Sequence, residues 1–172
     1  MKLGRIVFVL VLGGCRVLTP LELDHLVQGA VEARLADGVR EHHTLTARPW
    51  PAVFLAVELE DPHGLADANL RAVFFESMRR FLSSPRLRGL TAPEPEQTLA
   101  MARRNLELPA QGSWAELADP RARARIAAEF VRLGATVDYF ARGRLARTHT
   151  GYRLDLEVRD AATWEEIGAG GF

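Results

Sequence analysis

Residues 52–60, AVFLAVELE, limit the fold of this chain more than any other stretch. The run begins apolar on both of its faces. It then alternates through Val57, Glu58, Leu59 and Glu60. A strand apolar on both sides must be shielded from water on both sides, so this one reads as a central strand whose far end reaches solvent. A turn signal follows at Asp61-Pro62-His63-Gly64.

The segments around that strand supply its cover. Thr19-Pro20-Leu21-Glu22 is a capping box with proline at the first helical position. Leu23, Leu26, Val27, Ala30, Val31 and Leu35 follow at helical spacing, and Gly38 reads as the stop. Val39 to Pro51 has no clear period and reads as mostly loop. A second helix is expected over about residues 67–83, with Leu70, Val73, Phe74, Met78, Phe81 and Leu82 as its buried stripe, ended by Ser83-Ser84-Pro85. Leu87 to Leu90 suits a short strand, and Pro95 to Asn105 a third helix. Asp119-Pro120 caps a fourth, whose apolar side is Ile126, Ala127, Phe130, Val131 and Leu133, with Gly134 as its stop. Val137 to Leu145, Tyr152 to Val158 and Trp164 to Ile167 are strands, joined by a hairpin at Thr148 to Gly151 and a turn at Asp160 to Thr163. The order is β-α-β-α-α-β-β-β preceded by an N-terminal helix. It predicts an α/β (α+β) fold: a single mixed β-sheet with helices packed on it.

The first fifteen residues, MKLGRIVFVLVLGGC, stand apart. Lys2 and Arg5 give a positive start. Ile6 to Leu12 is apolar but far short of the roughly 20 residues needed to span a bilayer. Such a run suits a signal-peptide core. Leu12-Gly13-Gly14-Cys15 resembles the lipobox of bacterial lipoproteins, in which cleavage precedes the cysteine and its sulfur carries diacylglycerol. The resemblance makes Cys15 the lipidation site. Arg16, with no aspartate beside it, points by the sorting rule known for enteric bacteria to the outer membrane. The expected organisation is a signal peptide over 1–14, a lipid anchor and short tether over 15–18, one globular domain over 19–168 and a flexible tail over 169–172.

Composition narrows the partners. The chain has 172 residues, which suits one domain, and balances 22 basic against 22 acidic side chains. Without Lys2 and Arg5 the remainder is slightly acidic. Nucleic acid is therefore not expected as a partner, because phosphate binding needs an excess of basic charge. Lys2 is the only lysine, and Cys15 the only cysteine, which excludes an internal disulfide and a cysteine-rich zinc site.

Several passages in order resemble the LpoB-type activators of penicillin-binding proteins. They are Phe81 to Leu90 (helix end, then short strand), the loop Leu106 to Ser113, the run from Leu133-Gly134-Ala135 into a strand with Tyr139, and the close Asp160-Ala161-Ala162-Thr163-Trp164-Glu165-Glu166-Ile167. The resemblance implies a TolB-N-terminal-like α/β domain, shared with curli-secretion lipoproteins. It also implies a non-enzymatic outer-membrane lipoprotein that binds and stimulates a class A penicillin-binding protein, a peptidoglycan synthase. There are three departures. Only Arg16, Val17 and Leu18 lie between Cys15 and Thr19, where these activators carry a long tether. Thr136, Val137 and Asp138 intervene before Tyr139. Trp164 takes the place of a turn glycine. No partner-contact residues are carried over. The alternatives are a curli-type secretion or assembly lipoprotein that oligomerises, and a small envelope enzyme acting on glycan or lipid.

No catalytic or cofactor pattern emerges. His25, His42, His43, His63 and His149 form no metal motif, and the adjacent His42 and His43 read as a solvated loop pair. Ser77, Ser83, Ser84 and Ser113 lack a nucleophile elbow. Gly168, Gly170 and Gly171 make no phosphate loop, since no helix follows. Arg121, Arg123 and Arg125, with Arg142, Arg144 and Arg147, read first as a solvated face and second as a basic surface for an acidic partner or glycan. Trp50 and Trp114 read as covers for the core edge, or as aromatic anchors for a partner. No metal and no cofactor are expected.

Overall fold

The computed structural model describes residues 17–48, 52–82, 89–91, 95–107 and 114–171. Cys15 and the lipobox, Trp50 with its flanking prolines, Ser83, Ser84 and the loop 108–113 lie outside the described residues. Among the described residues, five strands form one mixed sheet in the order β2-β1-β3-β4-β5. These are β1 (Ala52–Glu60), β2 (Gly89–Thr91), β3 (Tyr139–Arg147), β4 (Tyr152–Asp160) and β5 (Glu166–Gly171). β1 runs parallel to β2 and β3, while β3-β4 and β4-β5 are antiparallel. The expected α+β fold with one mixed sheet is what forms.

Two helical layers cover β1. On one face lie α1 (Pro20–Ala30), its π-helical continuation Val31–Leu35, α2 (Ala36–Leu45) and α3 (Ala68–Leu82). These bury Leu23, Val27, Leu35, Val39, Phe74 and Met78 against Phe54, Leu59, Tyr139, Leu154 and Leu156. On the other face lie α4 (Pro95–Asn105), α5 (Trp114–Ala118) and α6 (Pro120–Arg132). There Leu55 and Phe140 meet Ala102, Trp114, Leu117, Ile126 and Phe130. Each fully buried Leu or Phe contributes roughly 1.5–3 kcal/mol by leaving water.

A bulge sets which β1 side chain faces which layer. The register slips between Ala56 and Glu58, leaving Val57 as the extra residue. Phe54 and Leu59, an odd number of positions apart, therefore share one core. Val57 packs with the opposite layer. The plain alternation read from Val57 to Glu60 misses this switch, because nothing in the residue types marks a bulge.

The first helix is longer than its sequence suggests. Thr19 caps it as expected, with its hydroxyl accepting from the Glu22 backbone N–H and the Glu22 carboxylate accepting from the Thr19 N–H. It then passes straight through Gly38 to Leu45, so Gly38 is no stop and residues 39–45 are no loop. The buried stripe runs Leu23, Val27, Val31, Leu35, Val39 and His43, all in steps of four. Such steps overshoot an α-helical turn by about 40° each. The π-helical turn at Val31–Leu35 returns roughly 100° of that drift and keeps the stripe on the sheet. Gly38 is there for close approach, since a Cβ at that position would lie 2.8 Å from the Ile167 carbonyl oxygen of β5.

Other elements fall near their expected bounds. Asp67 caps α3 by accepting from the Leu70 N–H at 2.8 Å, and Asp119 caps α6 by accepting from the Arg121 N–H. The short α5 lies in what reads as loop. The chain end differs too. β5 continues through Gly171, pairing Gly168, Gly170 and Gly171 with Val158, Leu156 and Asp155, where the sequence suggests a flexible tail. Glycine composition says nothing of the long-range ladder that orders these residues. Gly143 on β3 sits under the Phe74 ring, with a Cβ position 2.6 Å from its nearest carbon.

Gly38→Ala tests the close helix–strand contact. Alanine stabilises an ordinary helix interior by about 1 kcal/mol over glycine. Here the overlap with a backbone carbonyl reverses the sign, and urea denaturation should show a loss of about 1–3 kcal/mol.

Candidate partner-binding surface

The end of the sheet where β3 begins and β4 finishes is closed by a buried polar cluster. Asp160 is fully buried at the end of β4. Its Oδ1 accepts from the Ala162 and Thr163 N–H groups at 2.8 and 2.9 Å, and its Oδ2 lies 2.6 Å from Arg48. Burial by itself pushes this carboxyl up. The two N–H groups and the Arg48 guanidinium outweigh it and hold the group below the usual range. Tyr139 stacks on Phe54 at 5.1 Å, and its hydroxyl meets His43 Nδ1 at 2.9 Å and His42 Nδ1 at 3.3 Å. Burial pushes that phenol up to about 12, so it remains a neutral hydrogen-bonding group. His42 and His43 are thus not a solvated loop pair. The unexpected last turn of α2 carries both to one hydroxyl.

Asp138, one of the three residues that intervene before Tyr139, ties this end together. Its Oδ2 accepts from the Val53 N–H at 2.8 Å, and its carbonyl accepts from the Ala161 N–H at 2.9 Å. The departure in length thus joins the start of β1 to the turn after β4.

The sheet face opposite α1–α3 is covered by helices over β1 and the start of β3. Beyond that it carries charge. Arg142 and Glu157 stand directly opposite in the β3-β4 register, as do Arg144 and Asp155. Arg142 pairs with Glu157 at 2.7 Å and approaches Glu60 at 3.6 Å. Arg159 bonds Glu157 and reaches across the turn to Glu166 at 3.3 Å. Arg153 pairs with Asp155 at 2.7 Å. Burial raises the Glu157 carboxyl, but Arg159 and Arg142 together bring it below its ordinary value.

An aromatic pair borders this face. Trp114 is buried and packs on Trp164 at 4.9 Å, and Phe140 touches Trp164 at 6.1 Å. Guanidinium groups lie over the rings: Arg142 over Trp114 at 5.0 Å, and Arg123 and Arg159 over Trp164 at 5.1 and 5.5 Å. Trp114 therefore covers the core edge. Arg123 is buried and donates to the Leu117 carbonyl at 2.8 Å. The six arginines singled out from the sequence do not form one basic surface. Arg123 is internal, and Arg142 and Arg144 are matched by acids.

Trp164 has φ +66°, the left-handed region that favours glycine. This is the position where the resemblance expects a turn glycine, and the backbone here adopts the conformation that glycine favours. The strain persists because the ring is held by Trp114, Phe140 and two arginines.

No catalytic arrangement is assembled by the described residues singled out from the sequence. Ser77 is buried and donates to Asp24, which also pairs with Arg80. Among the described residues, no group of three or more His, Cys, Asp or Glu is placed to hold a metal ion. No helix among them is long and apolar enough to cross a membrane. What the surface offers is alternating charge with an aromatic border, suited to a complementary protein surface.

Two outcomes test this geometry. Trp164→Ala keeps the strained backbone and loses the ring, whereas Trp164→Gly loses the ring but relaxes the turn. The glycine variant should be the more stable by about 1–2 kcal/mol in urea denaturation. Asp160→Asn should cost about 1–3 kcal/mol at neutral pH. The folded-state carboxyl titrates below its unfolded value, so its contribution is present above about pH 4 and lost as pH falls further. The gap between wild type and variant should shrink below that pH.

No protein-family model matches the sequence, and no curated protein matches it. Solved structures do. The LpoB C-terminal domain from Salmonella enterica superposes with a TM-score of 0.54 at 15% identity, covering 88% of this chain and 96% of that one. The LpoB C-terminal domain from Escherichia coli gives 0.51 at 15% identity, covering 87% and 96%. Both domains are matched over nearly their whole length, and this chain has the LpoB-type fold.

Proposed function

We propose that this chain is a lipoprotein of the bacterial outer membrane, anchored through Cys15 on the periplasmic face, that binds and stimulates a class A penicillin-binding protein. It is a regulator of peptidoglycan synthesis and not an enzyme. The observation that carries the reading is the LpoB-type fold standing behind a lipobox-like Leu12 to Cys15. Stimulation without a catalytic group requires preferential binding to the active conformation of the synthase. The alternating charges of β3 and β4 are the surface we assign to that contact. Their paired state favours a partner that matches the pattern over one that is merely acidic or basic.

The test uses the full chain, acylated and solubilised in detergent, added to a purified class A penicillin-binding protein. Faster glycan polymerisation and cross-linking are expected. An unchanged rate, with no complex on crosslinking, overturns the reading. Cys15→Ala should abolish palmitate incorporation and release the chain from the membrane fraction.

A further inference from the structure

The start of α1 and the β3-β4 turn form one end of the domain. Glu22, His25 and Leu26 of the helix face Thr150, Gly151 and Tyr152 across a shallow cavity of about 280 Å³. We propose that this end is an interfacial surface that lies on the lipid leaflet, an inference that rests on the acylation of Cys15.

The length of the connection argues for it. Leu18 is 3% exposed and packs into the core, so the chain is fixed to the domain there. From Cys15 to Leu18 a fully extended chain reaches only about 11 Å. That is less than the thickness of the domain, so an acylated Cys15 brings this end against the headgroups. The side chains suit that place. Val17, just ahead of the helix, is 75% exposed and Leu21, in its first turn, 65% exposed, both close to the anchor in the chain. Tyr152 is half-buried at the base of the turn and has the apolar body and polar tip found at membrane interfaces. Thr148, His149 and Thr150 at the tip are exposed and uncharged or weakly basic. Exposed leucine and valine cost nothing when they enter the acyl boundary and add to the hold of the acyl chains.

The opposite end is then set. Pro20 to Leu45 is continuous helix, and at about 1.5 Å per residue it carries its far terminus up to about 40 Å from the leaflet. The turn at 160–165 and the exposed Leu45 lie there, facing the periplasm.

The test places a fluorophore at exposed positions of the full acylated chain, using Leu21→Cys, Thr150→Cys and Ala162→Cys. The chains are reconstituted in phosphatidylethanolamine–phosphatidylglycerol vesicles containing a doxyl-labelled phospholipid. Quenching several-fold stronger at positions 21 and 150 than at 162 is expected. Equal quenching at all three, or quenching only at 162, overturns the proposal. The wild-type chain is treated with the same reagent. No uptake of label shows that Cys15 is acylated, so failure of the surface is separated from failure of the anchor, which label on Cys15 would reveal.

Discussion

Strand β1 cannot tolerate water on either side, and the rest of the molecule answers that constraint. Phe54 and Leu59 require one helical layer, Leu55 and Val57 another. The bulge at Val57 lets a nine-residue strand serve both without leaving a large apolar side chain exposed. β3, its parallel neighbour, repeats the demand with Tyr139 on one face and Phe140 on the other. Only past Phe140 does that second face become polar, which is why the charged surface starts at Arg142.

A buried aspartate finishes the sheet at each of its ends. Where β4 finishes, buried polar groups satisfy one another: Asp160 takes two backbone N–H groups and an arginine, and Asp138 joins β1 to the turn after β4. A buried carboxylate left without partners would be costly, so this network specifies how α2, β1 and β4 meet. At the other end the chain enters through a capping box and turns back through an exposed hairpin, and there the buried Asp61 side chain accepts from the Leu65 and Ala66 N–H groups beside Arg71.

Trp164 shows how a departure in sequence is absorbed. A non-glycine residue at positive φ costs of order 1–3 kcal/mol. The ring offsets it through Trp114, Phe140 and the arginines around it. The same site thereby acquires an aromatic border beside alternating charge, which gives the surface a character of its own within a shared fold.

What the amino-acid sequence determined by itself was local. Thr19 to Glu22 announces a helix start, Asp119-Pro120 another, and the alternation of Leu154, Leu156 and Val158 a half-exposed strand, because caps and periodicity act between near neighbours. The order of the elements sufficed for a mixed sheet with helices on it. Tertiary structure decided what depends on distant partners. It made Gly38 a contact with Ile167 in place of a helix stop, brought His42 and His43 to Tyr139, extended β5 through its glycines, and matched Arg142 with Glu157. The first two join residues far apart along the chain and the last two depend on the register between neighbouring strands, and no local pattern of residue types records which of them the fold will place together.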